Sequence, residues 1–133
     1  MEEHVNVLIT ERDEEVGKEI EQSLRSMGHA CTLCNDLEVS LDHAASGQFE
    51  VVIAGLSFDE NGGWRILQTA LKAMPESQVV LLGEGDDVGE AVKAMSSGAA
   101  NYLHKPVNLS ELSIVISRLV ENVSLIRDRK SVV

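Results

Sequence analysis

The side chains best equipped for chemistry in this 133-residue chain are Cys31 and Cys34, the acidic run Glu11-Arg12-Asp13-Glu14-Glu15, the pair Ser57 and Asp59, and Lys105. The Cys-x-x-Cys spacing suits a metal or a dithiol. It lies, however, in Ala30-Cys31-Thr32-Leu33-Cys34, which reads as a strand, where side chains three apart point to opposite faces. No second cysteine pair exists, and His4, His29, His43 and His104 lack ligand spacing. The two thiols are therefore expected to act as small core residues. No serine or cysteine has the neighbouring base that a hydrolytic nucleophile needs. A flavin phosphate loop would be rich in hydroxyls and glycine, whereas the acidic run is mostly anionic. A cobalamin site would need a histidine and glycine after the first strand, and none is there.

Composition narrows the partners. The net charge of −11 opposes direct binding to nucleic acid or an anionic membrane and favours protein partners. No apolar run approaches the roughly 20 residues of a membrane span, and Met1-Glu2-Glu3-His4 lacks the basic start of a signal peptide, so a cytoplasmic location is expected. A hydrophobic content of 44% and a charged content of 25% fit one soluble domain with a single core.

The elements that must position these side chains alternate regularly. Val5 to Thr10 is a β-branched run suited to a strand buried on both faces. Asp13 can cap a helix carrying Val16, Ile20, Leu24 and Met27, which Gly28 ends. A strand over Ala30 to Leu33 precedes a helix with Leu37, Leu41 and Ala45, closed by Gly47. The third strand, Val51 to Ala54, leads to a helix through Trp64, Leu67, Leu71 and Met74, barred by Pro75. Gln78 to Leu82 is the fourth strand. Asp86 and Asp87 precede a helix with Val88, Ala91, Val92 and Met95, stopped by Gly98. Asn101 to Leu103 is the fifth strand, and Asn108 caps a long final helix. Five strand–helix units in series predict a parallel sheet covered by helices on both faces, a doubly wound α/β fold. In such folds functional groups gather at the carboxyl ends of the strands. Those ends are Glu11 and Arg12, Gly55, Gly83, and Lys105-Pro106.

The order and spacing of Tyr102-Leu103-His104-Lys105-Pro106, the Gly62-Gly63 turn, and Ala91-Val92-Lys93-Ala94-Met95 through Gly98-Ala99 resemble the receiver domain of two-component response regulators, the CheY-like family. The resemblance covers about the whole chain. It implies a flavodoxin-like five-stranded sheet of order 2-1-3-4-5. It also implies a switch built from an acidic pair that holds magnesium, an aspartate that accepts a phosphoryl group, a hydroxyl after the fourth strand and a lysine after the fifth. Hard oxygens, a carboxylate nucleophile and a cation facing developing charge are what that chemistry needs. Carried over by position, the acidic pair falls on Glu11 and Arg12, the acceptor on Gly55, the hydroxyl on Gly83 and the lysine on Lys105. Only Glu11 and Lys105 keep suitable chemistry.

Glycine offers no atom to phosphorylate, and Arg12 opposes a metal by Coulomb repulsion, so neither aspartyl phosphate nor magnesium binding is expected. Arg12 would pair with Glu11 or Asp13, or join Lys105 in replacing the metal; alternatively it points to solvent. Substitute acceptors are Ser57, Asp59 and Asp13, with Asp59 also explicable as a turn residue. Tyr102 corresponds to the family's switch aromatic and, with no side chain on Gly83, has room to stay inward or to anchor an interface. Pro106 is a candidate for a cis peptide.

On the last helix Leu112, Ile116, Leu119, Val123 and Ile126 recur at spacings of four and three, the pattern of a coiled-coil seam. Core packing accounts for Leu112 to Leu119. Val123 and Ile126 suggest a helix that projects, dimerises and leads into a further domain, as at the junction of NtrC-type activators. The division expected is a receiver over 1–120 and a linker helix over 121–133. The resulting expectation is an atypical receiver, not an enzyme and without cofactors, that works through protein contacts and a homodimer. A phosphorylated receiver with an unconventional acceptor is the alternative; a flavodoxin-like enzyme is the remote one.

Overall fold

A computed structural model describes residues 4–58, 61–85 and 88–131, excepting the side chains of 127–131. Asp59, Asp86 and Asp87 fall outside the described residues. The elements are β1 (Asn6–Thr10), α1 (Glu14–Ser26), β2 (Ala30–Cys34), α2 (Leu37–Ala45), β3 (Val51–Gly55), α3 (Gly62–Ala73), β4 (Gln78–Gly83), α4 (Val88–Ser96), β5 (Asn101–His104) and α5 (Leu109–Ser131). All strand pairs are parallel and the order is β2-β1-β3-β4-β5. This is the doubly wound arrangement that the alternating sequence predicts.

The period of two within each strand divides the core. Val7, Ile9, Val51, Ile53, Val80 and Leu82 pack with Ile20 and Leu24 of α1 and with α5. Leu8, Val52, Ala54, Val79 and Leu81 pack on the other face with Ile66, Leu67 and Ala70 of α3 and Ala94 of α4. Every residue of the central strand β3 is buried, as a strand covered on both faces requires.

Local signals set the boundaries. The Asp13 carboxylate accepts from the N–H groups of Glu15 and Val16 at 3.0 and 3.3 Å, and Glu14 and Glu15 favour the positive end of the α1 dipole. Gly28, at φ 94°, takes the left-handed conformation that ends the helix. Asp36 caps α2 through Val39 N–H at 3.0 Å, and Asn108 caps α5 through Glu111 N–H at 3.0 Å. The Lys105–Pro106 bond is cis.

Packing decides which apolar residues of α4 and α5 face the sheet, and on α5 it corrects an expectation. Of the apolar residues of α4, Val88, Val92 and Met95 are 75%, 59% and 50% exposed. Ala94 instead faces the sheet, because small side chains let α4 sit close to it. On the outer side, Lys93 Nζ lies 4.5 Å above the centre of the Trp64 ring and ties α4 to α3. The stripe read as a dimer seam is the inner face of α5. Leu112, Ile116, Leu119 and Val123 are buried in the core of the same chain, and Ile126 is half-buried. A side chain already packed on its own sheet is not available to a second copy. Packing on the body therefore continues past residue 120, to Val123.

Candidate functional site

The carboxyl ends of β1, β3, β4 and β5 meet around Gly55. Glu11 leaves β1 and turns inward, where it is 1% exposed. Its Oε1 accepts from Lys105 Nζ at 2.7 Å and from the Asp13 N–H at 3.1 Å. Its Oε2 is buried and has no hydrogen-bond partner among the described residues. That oxygen is directed at position 55: a Cβ on Gly55 would stand 2.8 Å from it. The Glu11 side chain thus fills the space that a longer residue 55 would enter.

Lys105 leaves β5 just before the cis proline. Besides Glu11 it lies 3.7 Å from Glu84 Oε1, and Ser57 Oγ donates to that same oxygen at 2.9 Å. The chain Glu11–Lys105–Glu84–Ser57 spans the mouth of the pocket. Its inner half is the stronger, since Glu84 is exposed and its pair with Lys105 is weakened by water. Phe58, 1% exposed, anchors the loop that carries Ser57.

Arg12 is exposed and pairs with neither Glu11 nor Asp13 among the described residues. Of the arrangements considered for it, the structure shows the solvent-facing one; among the described residues, Lys105 is the cation paired with Glu11. Asp13 spends its carboxylate on capping α1. Asp59 lies outside the described residues.

At the end of β4, Gly83 faces the Tyr102 ring. A Cβ at 83 would run into Tyr102 Oη and Cζ and stand 2.6 Å from Glu90 Oε1. The phenol lies inward, donates to Glu90 Oε1 at 2.6 Å, and meets the His104 ring edge to face at 5.1 Å. Glycine at 83 is what makes this approach possible. The sequence gives no hint of Glu90 or Glu84 in these roles, because each meets its partner across a loop at a separation no local period encodes.

The residues at the family's cation position do not fit magnesium. The ion prefers near-octahedral hard oxygens. Here Gly55 brings no side chain, Arg12 is a cation, and one oxygen of Glu11 is already held by Lys105.

Comparison with known proteins matches a model described as the response regulator receiver domain over residues 7–117. The transcriptional regulatory protein PcoR of Escherichia coli is 30% identical over 106 residues, which cover 80% of this chain and 47% of that protein. The DNA-binding transcriptional regulator NtrC of Azospirillum brasilense is 24% identical over 116 residues, covering 87% of this chain and 24% of that one. The chain spans about half the length, or less, of these curated relatives. Among solved structures, NtrX from Brucella abortus superposes with a TM-score of 0.84 at 22% identity, covering 96% of this chain and 28% of that one. The receiver domain of a Luxo repressor protein from Vibrio parahaemolyticus reaches 0.85 at 16% identity, covering 96% and 98%.

Proposed function

The chain belongs to the response regulator receiver domain family, and from that membership we propose that it is a two-component signalling module working without aspartyl phosphorylation, through protein contacts. The observation that carries this reading is the position of Glu11. In the family's switch a phosphoryl group on the β3 residue would provide the anion for the lysine. Here a carboxylate built into the chain sits against Gly55 and holds Lys105 at 2.7 Å. The pocket has its anion permanently, and it has no acceptor at position 55.

The β4 side supports the same reading. An inward aromatic normally needs a hydroxyl side chain to make way. With Gly83 there is nothing to move, and the Tyr102–Glu90 hydrogen bond holds the ring in place. The result is a Tyr102 ring held inward without phosphorylation. Regulation then passes to partners that bind two conformations with different affinity. Val88, Val92 and Met95, exposed along α4, give apolar surface of the kind protein contacts use.

In this reading the module is non-catalytic and cytoplasmic, makes no direct contact with nucleic acid, and continues from α5 into an output domain of a longer chain. The multidomain relatives support that continuation, and the absence among the described residues of a helix long and apolar enough to cross a membrane is compatible with the location.

Intact mass and amide NMR, recorded with magnesium before and after a small acyl-phosphate donor, test the proposal. The expected result is an unchanged mass and spectrum. An adduct of one phosphoryl group with widespread shift changes would overturn it, and peptide mapping would then decide among Ser57, Asp59 and Asp13.

A further inference from the structure

The two edges of the sheet are protected differently. β5 is four residues long and runs into Pro106, which has no N–H to offer. β2 has neither safeguard. From Ser26 to Asn35 the sequence contains no Asp, Glu, Lys, Arg or Pro. The register with β1 runs unbroken from Asn6–Ala30 to Thr10–Cys34, so no bulge twists the strand away. An uncharged, regular edge strand of this kind is a template for pairing with another strand.

The hydrogen bonds to β1 show which groups are left over. The Ala30 N–H donates to the Val5 carbonyl, and the Cys34 carbonyl accepts from the Glu11 N–H, both at 3.2 Å. Residues 30 and 34 therefore face β1, and so does Thr32 between them by the alternation of the strand. The N–H and C=O groups of Cys31 and Leu33 point the other way, to the open edge. One of these groups is covered. Arg25 Nη2 donates to the Cys31 carbonyl at 2.7 Å, and the same nitrogen lies 3.3 Å from Glu21 Oε2, one turn back on α1. The left-handed Gly28 folds the chain back beside the end of α1 and so sets residue 31 against residue 25. The cation that the strand lacks is supplied by the helix before it.

The strand that would compete with Arg25 is β2 of a second copy. A two-fold axis at Thr32 would set Cys31 opposite Leu33 of the other copy on both sides of the axis, and each such pair would exchange N–H···O bonds across the edge. The guanidinium on the Cys31 carbonyl stands where that second strand would lie.

We propose that Arg25 guards the open edge of the sheet, occupying the Cys31 carbonyl and so keeping β2 from pairing with β2 of a second copy. This role goes beyond the signalling reading and does not depend on whether any residue is phosphorylated. A module that works through chosen protein contacts needs its sheet edge kept out of them.

Sedimentation velocity in the presence of a thiol reductant tests it, with the folding of each variant checked by circular dichroism. Arg25→Met keeps the aliphatic length but uncovers the carbonyl, and it should self-associate about tenfold or more tightly than wild type. It also makes the net charge more negative than −11, so general repulsion between acidic chains predicts the opposite. Arg25→Ala, with the best helix former at that position, should behave as Arg25→Met does. Glu21→Gln leaves the Arg25 donor in place and should sediment as wild type. Adding Thr32→Lys to Arg25→Met sets like charges opposite each other at the two-fold axis and should restore wild-type behaviour. Amide hydrogen exchange separates edge pairing from partial unfolding. In the associated Arg25→Met protein the Cys31 and Leu33 N–H groups should gain protection, whereas unfolding would lower it throughout β2. Arg25 variants that sediment as wild type, association that survives Thr32→Lys, or no gain of protection at Cys31 and Leu33 would each overturn the proposal.

Discussion

Glu11 and Gly55 are complementary: the buried carboxylate of one occupies the space left by the missing side chain of the other, with Oε2 2.8 Å from where a Cβ at 55 would begin. Glu11 follows β1 and Gly55 ends the adjacent β3, and the register that sets Thr10 beside Ala54 brings the residues after them together. A change at either position is therefore felt at the other.

Restoring an aspartate shows this coupling. Gly55→Asp would bring a second carboxylate to Glu11 with only Lys105 to neutralise both. We expect a loss of about 1–3 kcal/mol in urea unfolding and no phosphorylation by an acyl-phosphate donor. Gly55→Ala should cost less, because the Glu11 carboxylate can shift from a methyl but cannot escape a like charge. Combining Gly55→Asp with Glu11→Ala should recover much of the loss.

Lys105 compensates a nearly inaccessible anion. Lys105→Met leaves the Glu11 carboxylate buried without its cation and should destabilise the fold by about 3–5 kcal/mol. The double variant Glu11→Gln/Lys105→Met, which removes both charges, should be much closer to wild type. Chemical denaturation of wild type, the single variants Glu11→Gln and Lys105→Met, and the double variant gives the cycle.

Gly83→Thr requires Tyr102 to leave its inward place. The hydrogen bond to Glu90 should break and the ring should turn to solvent. The chain has one tyrosine, so its aromatic NMR signals report the change without assignment ambiguity. Glu90→Gln, by contrast, should leave the ring inward, since an amide oxygen still accepts from Oη.

Burial pushes the Cys31 thiol above its ordinary value of 9.0, partly offset by the Arg25 guanidinium and reinforced by Glu21. Its raised value means that the folded protein holds the proton to higher pH than the unfolded chain. The associated stability is complete below the unfolded value and is lost as pH rises through the folded one. Wild type should therefore lose stability faster than Cys31→Ala as pH rises above about 9, and a thiol reagent near pH 8 should react with Cys31 much faster in urea than in buffer.

The strand–helix order was legible because each strand is a short apolar run and each helix is closed by a cap or a glycine, as with Asp13 and Gly28. The strand-end positions that assemble the pocket followed from it. Direction was harder to read. Val88, Val92 and Met95 form an apolar period, yet they are exposed and Ala94 is the α4 residue buried in the core, so the period alone did not say which side faces the sheet. On α5 the stripe with heptad-like spacing belonged to the core. The roles of Glu84 and Glu90 needed coordinates, as did the outward turn of Arg12.

The contact between Lys93 and Trp64 gives the protein an optical readout of its own. The chain has one tryptophan, and its ring sits where α3 meets α4. A partner that displaces α4 would lift the ammonium from the indole and alter its emission. Ligand titrations can then be followed on the unlabelled protein, and Lys93→Met marks how much of the signal comes from that single contact.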